Sequence, residues 1–215
     1  MVKHTEFSGA LTDHGNMYGF LEYYKTMNAA GKHPIIGIEA YQADIDGSLK
    51  RNHLILLAKT NQGYENLLQL TSQGYDHFYH VPHVTWDMLE QYHEGIICTS
   101  ACIGGLIPQA ILSNDMDKAR ALVQRFQALF GDDFYLEIQR HGIEEENIVN
   151  PKLLALAKEF SISIVATTDS HYLRKEDSYA HEITLCLQTK KTINEPHFRF
   201  KGTGYHMHTS DEMEQ

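Results

Sequence analysis

The chain has 215 residues, 42% of them hydrophobic, and a formal net charge of −10 at pH 7. This length suits one larger domain, since α/β barrels reach this size. The acidic balance and the lack of a long lysine or arginine run exclude a general basic face for non-specific nucleic-acid binding. With three cysteines, no signal peptide and no membrane-length apolar run, we expect a cytoplasmic protein without membrane contact. Histidine, at fourteen residues, is the compositional outlier, and it is the commonest metal ligand.

Short apolar strands alternate with helical patterns along the chain. A first short apolar segment, GAL, runs into TDHG near residue 14. Strands are predicted at 33–41, 52–59, 95–100, 133–139 and 162–168. Helices are predicted at 19–32, 61–75, 114–131, 145–160 and 175–189. The segment 114–131 has clear helix boundaries, with Asn114 or Asp115 as the N-cap and Gly131 at the end.

This alternation predicts parallel β/α units. The sequence contains no nucleotide-binding glycine fingerprint, so a TIM-like barrel is favoured over a Rossmann sheet. Residues 190–215 lack a clear period and are typical of a connector. We therefore expect one domain over 1–190 and a connector over 191–215.

Ligand-type side chains follow the ends of the predicted strands. Because the carboxyl ends of barrel strands form one mouth, side chains placed there are expected to converge. His53 is an exception, since it begins its strand. The residues at or just after strand ends are Asp13, His14, Glu39, Cys102, Arg140, His141, Asp169 and His171.

Imidazole, carboxylate and thiolate together suit zinc, manganese or iron. Such a metal lowers the pKa of a bound water and clamps phosphoryl oxygens, which permits hydrolysis at neutral pH. A cation would also compensate Asp169 and His171, which are costly to bury unpaired at the end of an apolar strand.

Each of these residues also has a structural interpretation. Asp13 and His14 could form a turn, and Glu39 could pair with a lysine. A lone His53 at a strand start is more often a hydrogen-bonded core or surface histidine, and Cys102 could be a small buried hydrophobe. Asp169 and His171 could cap the following helix. The metal interpretation rests on all of them lying at one rim.

Most of the chain, from about residue 9 to 213, resembles the PHP (polymerase and histidinol phosphatase) domain. The resemblance is narrower still to the version at the amino end of bacterial replicative DNA polymerase III alpha subunits. It is carried by ALTDHGNMYG, PIIGIEAY, HLILLAKTNQGYENLLQL, EGIICTSACIGGLIPQAIL, FYLEIQRHG, ATTDSHYLRKEDSYAHEITLCLQT and SDEM.

The resemblance implies a distorted (β/α)7 TIM-like barrel with a cluster of divalent metals at the strand ends. It implies Zn²⁺, with Mn²⁺ or Fe²⁺ as alternatives, in up to about three sites. Catalytic roles fall on His14, Asp169 and His171, while Asp13, Arg140 and His141 would support ligands or contact phosphate. The implied metal ligands are His4, His14, Glu39, His53, Cys102, Asp169 and His171.

The first residues of the chain depart from the family pattern. The family begins with an H-x-H motif, whereas this chain begins MVKHTEFSGALTDHGN. His4 matches the second histidine, Val2 stands in place of the first, and roughly thirty residues of one βα unit are missing. We therefore expect incompletely filled metal sites. We also expect an exposed sheet edge through which a homodimer could form.

The resemblance implies a part of a replicative DNA polymerase with a metal-dependent phosphoesterase or 3′–5′ exonuclease activity. DNA, the other polymerase III alpha domains and the proofreading subunit would be its partners. Nucleotidyl transfer would belong to the parent polymerase, because this chain has no room for the polymerising domains. Two alternatives stay open: an inactive structural module of the polymerase, and a stand-alone phosphatase on small phosphate monoesters.

Overall fold

The computed structural model describes residues 8–214. The described part is a mixed α/β structure. Its strands are β1 (Ser8–His14), β2 (His33–Gln42), β3 (Asn52–Ala58), β4 (Ile96–Thr99), β5 (Phe134–Ile138) and β6 (Ile164–Ala166). Its α-helices are α1 (Phe20–Ala29), α2 (Asn61–Gln73), α3 (Trp86–Tyr92), α4 (Leu106–Leu112), α5 (Met116–Phe130), α6 (Glu144–Phe160), α7 (Ser178–Thr189) and α8 (Ser210–Met213).

One curled sheet contains the six strands in sequence order, β1 to β6. β1 pairs with β2 in parallel, and β4, β5 and β6 are parallel to one another. β3, however, is antiparallel to both of its neighbours. The expectation of parallel units throughout is therefore wrong at β3. The connection 43–51 is the physical reason, because a parallel crossover needs a dozen or more residues and this connection is shorter.

The reversal of β3 decides which residues meet. The first residues of β3 lie at the same edge of the sheet as the last residues of β2 and β4. His53 is paired with Tyr41 near the end of β2 and bridges to Gly105, beyond the end of β4. A histidine that begins its strand thus reaches the rim formed by the ends of the other strands.

Helix α5 shows how the sequence pattern becomes packing. Asp115 caps it by accepting a hydrogen bond from the backbone N–H of Lys118 at 3.0 Å, and the helix ends before Gly131, as predicted. Its buried stripe includes Phe126, whose ring centroid lies 5.2 Å from that of Phe134 and 4.8 Å from that of Trp86. These contacts fix α5 against the sheet.

Three α-helices were not predicted. α3 is one short segment capped by the side chain of Thr85, α4 follows Gly105 directly, and α8 is capped by the side chain of Thr209. All three are too short to show a helical period. None of the helices within residues 8–214 combines the length and apolar composition needed to cross a bilayer.

Removing the ring at the centre of this packing tests the fold. Phe126 is 1% exposed, so Phe126→Ala is expected to lower the free energy of unfolding by about 3–5 kcal/mol. Phe78→Ala, at a ring that is 58% exposed, is the control and should cost less than about 0.5 kcal/mol. Urea unfolding followed by circular dichroism measures both. Equal costs for the two variants would contradict the described core.

Candidate metal centre

Three side chains from three neighbouring strands meet at the rim of the sheet. Donor atoms of His14, Glu39 and His53 all lie within 4.8 Å of one another. The Nδ1 atom of His14 is 3.0 Å from Oε2 of Glu39, and Nδ1 of His53 is 2.7 Å from Oε1. One carboxylate therefore holds two imidazoles, one on each oxygen.

Strand register and a tight turn produce this cluster. In the parallel pair β1–β2, His14 lies opposite Glu39. Gly15 follows with φ +67°, and its N–H donates to the carbonyl oxygen of Glu39 at 2.9 Å. A Cβ at Gly15 would lie 3.0 Å from the Tyr41 ring, so both backbone angle and space favour glycine. Asp13 accepts a hydrogen bond from the N–H of Gly19 at 3.0 Å and so anchors the loop beyond His14.

Cys102 lies beside the three-residue cluster. Its Sγ is 3.2 Å from Nδ1 of His53 and 4.0 Å from Oε1 of Glu39. The chain after β4 brings it there, and the backbone N–H of Gly104 donates to the same sulfur at 3.4 Å. The thiol is thus a further soft donor within reach of the cluster.

Asp169 and His171 approach from the loop that follows β6. The ring centroid of His171 is 5.7 Å from that of His14. Nδ1 of His171 lies 2.7 Å from the carbonyl oxygen of Asp169 and 3.7 Å from its Oδ1. Asp169 has φ +46°, a left-handed conformation that Asp tolerates better than most residues.

The site is electrostatically unusual. Burial opposes ionisation of Glu39, but hydrogen bonds from His14 and His53 outweigh it and lower the pKa of Glu39 to about 2. The hydrogen bond to Glu39 in turn raises the pKa of His14. Without a cation, the two histidines compensate the buried carboxylate.

The pKa values of Cys102 and Asp169 are shifted upward, opposite to that of Glu39. Burial, followed by the charges of Glu39 and Asp169, raises the pKa of the Cys102 thiol well above its usual range. Burial also raises the pKa of Asp169, and the charge of Glu39 adds to this. A divalent cation would reverse both effects, since it favours the ionised donors. The donor atoms of His14, Glu39 and His53 suit a divalent metal in both type and placement. Cys102, Asp169 and His171 lie nearby but outside this group of three.

His141 is buried a short distance from the cluster. Its Nδ1 donates to Glu146 at 2.6 Å and its Nε2 to the carbonyl oxygen of Thr168 at 2.9 Å. Its ring stacks on Tyr205, with centroids 3.9 Å apart. Burial disfavours the charged ring, but these acceptors outweigh it and raise the pKa of His141. His141 thus holds the residue before Asp169.

Arg140 and His4 are the two remaining residues of the predicted site. Arg140 is exposed, next to His141. His4 lies outside the described residues.

Comparison with known proteins shows the family of this chain. Residues 5–141 match the PHP domain. The chain belongs to the PHP domain family. It is 45% identical to the DNA polymerase III subunit alpha of Borreliella burgdorferi over 214 residues and 41% identical to that of Thermus aquaticus over 217 residues. These alignments each cover 95% of this chain but only 19% and 18% of the relatives, so the PHP domain described here spans about a fifth of their length.

Sequence reasoning missed a buried carboxylate close to the candidate metal centre. Glu137 on β5 accepts hydrogen bonds from the hydroxyls of Thr99 and Thr167 and from the amide of Gln139. Burial raises the pKa of Glu137, and these donors only partly offset the effect. This network joins β4, β5 and the loop that carries Asp169. A lone glutamate inside the apolar strand FYLEI was the available sequence signal.

The protonated state of His141 can be tested through stability. A group with a raised pKa stabilises the folded state below its unfolded pKa of about 6.5, and this contribution is lost as the pH rises through the folded value. In chelator-treated protein, His141→Gln should therefore cost about 3 kcal/mol of unfolding free energy at pH 6, because Glu146 loses its buried partner. The cost should be smaller at pH 9.

Urea unfolding at the two pH values measures this difference. The exposed variant His77→Gln is the control and should be near neutral at both. A cost for His141→Gln that does not change with pH would show that the ring is uncharged in the folded protein.

Proposed function

We propose that this PHP domain belongs to a replicative DNA polymerase alpha subunit and hydrolyses the 3′-terminal phosphodiester of DNA with a divalent metal. The observation that carries the proposal is the His14–Glu39–His53 cluster. The polymerase context is supported by the named relatives. A protein of this kind acts in the cytoplasm, with the remaining alpha domains and the proofreading subunit as partners.

The metal-holding residues would be His14, Glu39, His53, Cys102, Asp169 and His171. Zn²⁺ suits this mixture of imidazole, carboxylate and thiolate, with Mn²⁺ or Fe²⁺ as alternatives. When bound, the metal supplies Lewis acidity toward phosphoryl oxygens. We expect several sites to be incompletely filled because one histidine of the head motif is replaced by Val2.

The catalytic roles fall on His14, Asp169 and His171. Asp169 is proposed to accept a proton during attack on phosphorus, because beside a bound cation its carboxylate would be ionised. The carbonyl oxygen of Asp169 orients the ring of His171 through Nδ1. The exposed ring of His14 faces the mouth of the site. Arg140 is proposed to steady a phosphate, while buried His141 and anchoring Asp13 position the loops.

We propose that the complete fold is a seven-unit barrel of which one amino-terminal βα unit is missing. β1 and β6 are the two ends of the described strand order, which is where such a unit would insert. The same edges could pair two chains into a homodimer. The domain would extend over 1–190, with 191–215 as its connector.

A structural role without hydrolysis is the second candidate. On α7, Tyr179, Ile183 and Leu187 are spaced four residues apart and are 60%, 40% and 74% exposed. An apolar stripe of this kind on a domain that matches a fifth of its relatives favours packing against other polymerase domains.

Glu39→Gln tests the hydrolytic proposal. The wild type with added Zn²⁺ or Mn²⁺ should shorten single-stranded DNA from its 3′ end. Loss of the central carboxylate should lower kcat/KM by more than the roughly 10–100-fold typical for losing an outer partner of a metal ligand. His77→Gln should retain the wild-type rate.

A labelled oligonucleotide and a small phosphate monoester are compared in the same assay. Faster turnover of the monoester would replace the exonuclease proposal by a stand-alone phosphatase. Metal-loaded protein that hydrolyses neither substrate would leave the structural role.

A further inference from the structure

A second feature of the rim is a cavity of about 310 Å³ between α7 and the segment that follows Phe198. Cavities that bind small organic groups begin at about this size. Its lining is largely aromatic, with a few polar groups. The residues that line it include Tyr172, Ser178, His181, Arg199, Phe200 and Tyr205.

Phe200 is at the centre of these rings. Its ring centroid is 4.8 Å from that of Tyr205 and 5.0 Å from that of His181. The His181 ring in turn lies 5.4 Å from Tyr172. These separations fall in the range of favourable aromatic contacts, so the rings form one continuous wall.

The cavity adjoins the metal centre. The Phe200 ring centroid is 4.6 Å from that of His171, in an edge-to-face arrangement. His171 also faces His14 across the candidate centre, with centroids 5.7 Å apart. A ligand in the cavity would therefore have one end beside the metal-holding residues.

The chain segment that carries the cavity is less acidic than the chain as a whole. Residues 170–201 contain six of the 18 lysines and arginines but only four of the 28 acidic residues, a balance of +2 in a chain of −10. Arg199 lies at the cavity with 63% of its side chain exposed and contacts Glu182. Glu182 also lines the cavity and pairs with Arg199, so the lining holds one cationic and one acidic side chain. A phosphate would be recognised there by the remaining N–H groups of the exposed Arg199 guanidinium.

We propose that this cavity binds the terminal base of a single-stranded DNA chain, stacked on Phe200, with Arg199 near a phosphate. The inference rests on the proposed function, since it places the 3′ nucleotide next to the centre that would cleave behind it. Aromatic stacking suits a base of any sequence, because every base has a π-face. An aliphatic ligand would make no use of the exposed N–H groups of Arg199.

Two oligonucleotides test the proposal, identical except that one ends in an ordinary 3′ nucleotide and the other in an abasic 3′ deoxyribose. Both carry a 5′ fluorescein, and binding is followed by anisotropy in chelator-treated protein so that neither is hydrolysed. The wild type should bind the base-terminated strand about tenfold more tightly.

Phe200→Leu keeps apolar volume but removes the ring, and it should abolish this preference. The control, Phe198→Leu, makes the same change in the same segment at a residue outside the cavity lining, and it should retain the preference. Equal affinity of the wild type for both strands would overturn the proposal. Equal loss in both variants would also overturn it.

A measurement without variants guards against misfolding of Phe200→Leu. Deoxyadenosine 5′-monophosphate should displace the labelled strand from the wild type about tenfold better than deoxyribose 5-phosphate. Equal competition by the two compounds would contradict base binding in the cavity.

The base-binding proposal and the hydrolytic proposal can fail separately. If binding depends on the base but the metal-loaded protein hydrolyses no DNA, the cavity proposal stands and the hydrolytic function does not.

Discussion

The candidate site depends on one buried carboxylate. Glu39 holds His14 on one oxygen and His53 on the other, and this contact ties the first three strands together at the rim. The arrangement requires β3 to be antiparallel to its neighbours, because only then does the start of β3 lie beside the end of β2. A short connection between two strands therefore determines the ligand set, and the pKa of Glu39, about 2, reflects how completely the histidines compensate it.

The loop that carries Asp169 and His171 is held by backbone hydrogen bonds. Asp169 and His171 lie on a loop whose backbone is fixed from below by His141 and from the carboxyl-terminal side by Tyr205, whose carbonyl oxygen accepts from the N–H of His171 at 2.8 Å. The segment expected to be a connector thus packs against the site. Glu137 accepts hydrogen bonds from the hydroxyls of Thr99 on β4 and Thr167 before Asp169, and so joins β4 to this loop. Buried polar networks of this kind fix the geometry that metal ligands need.

Local patterns predicted much of this molecule. The capped helix α5 and the apolar strands β2, β3 and β5 follow directly from periodicity. Strand-end placement pointed to His14 and Glu39, whose donor atoms lie together in the structure. The apolar run of β3 does not itself indicate the strand direction, because it has the same period in either direction. The available signal was the short connection 43–51, which is too short for a parallel crossover. His53 was consequently assigned by family resemblance alone. Glu137 escaped because a single acidic residue in a strand has no pattern, and its hydrogen-bond partners are distant in sequence.

Anomalous scattering at the zinc edge, from crystals of the protein grown with Zn²⁺, would locate bound metal directly. We expect a peak among His14, Glu39 and His53, about 2.0–2.2 Å from their nitrogen and oxygen donors. Glu39→Gln should remove the peak. A well-ordered structure with saturating zinc and no peak at this cluster would show that these three residues do not form a metal site.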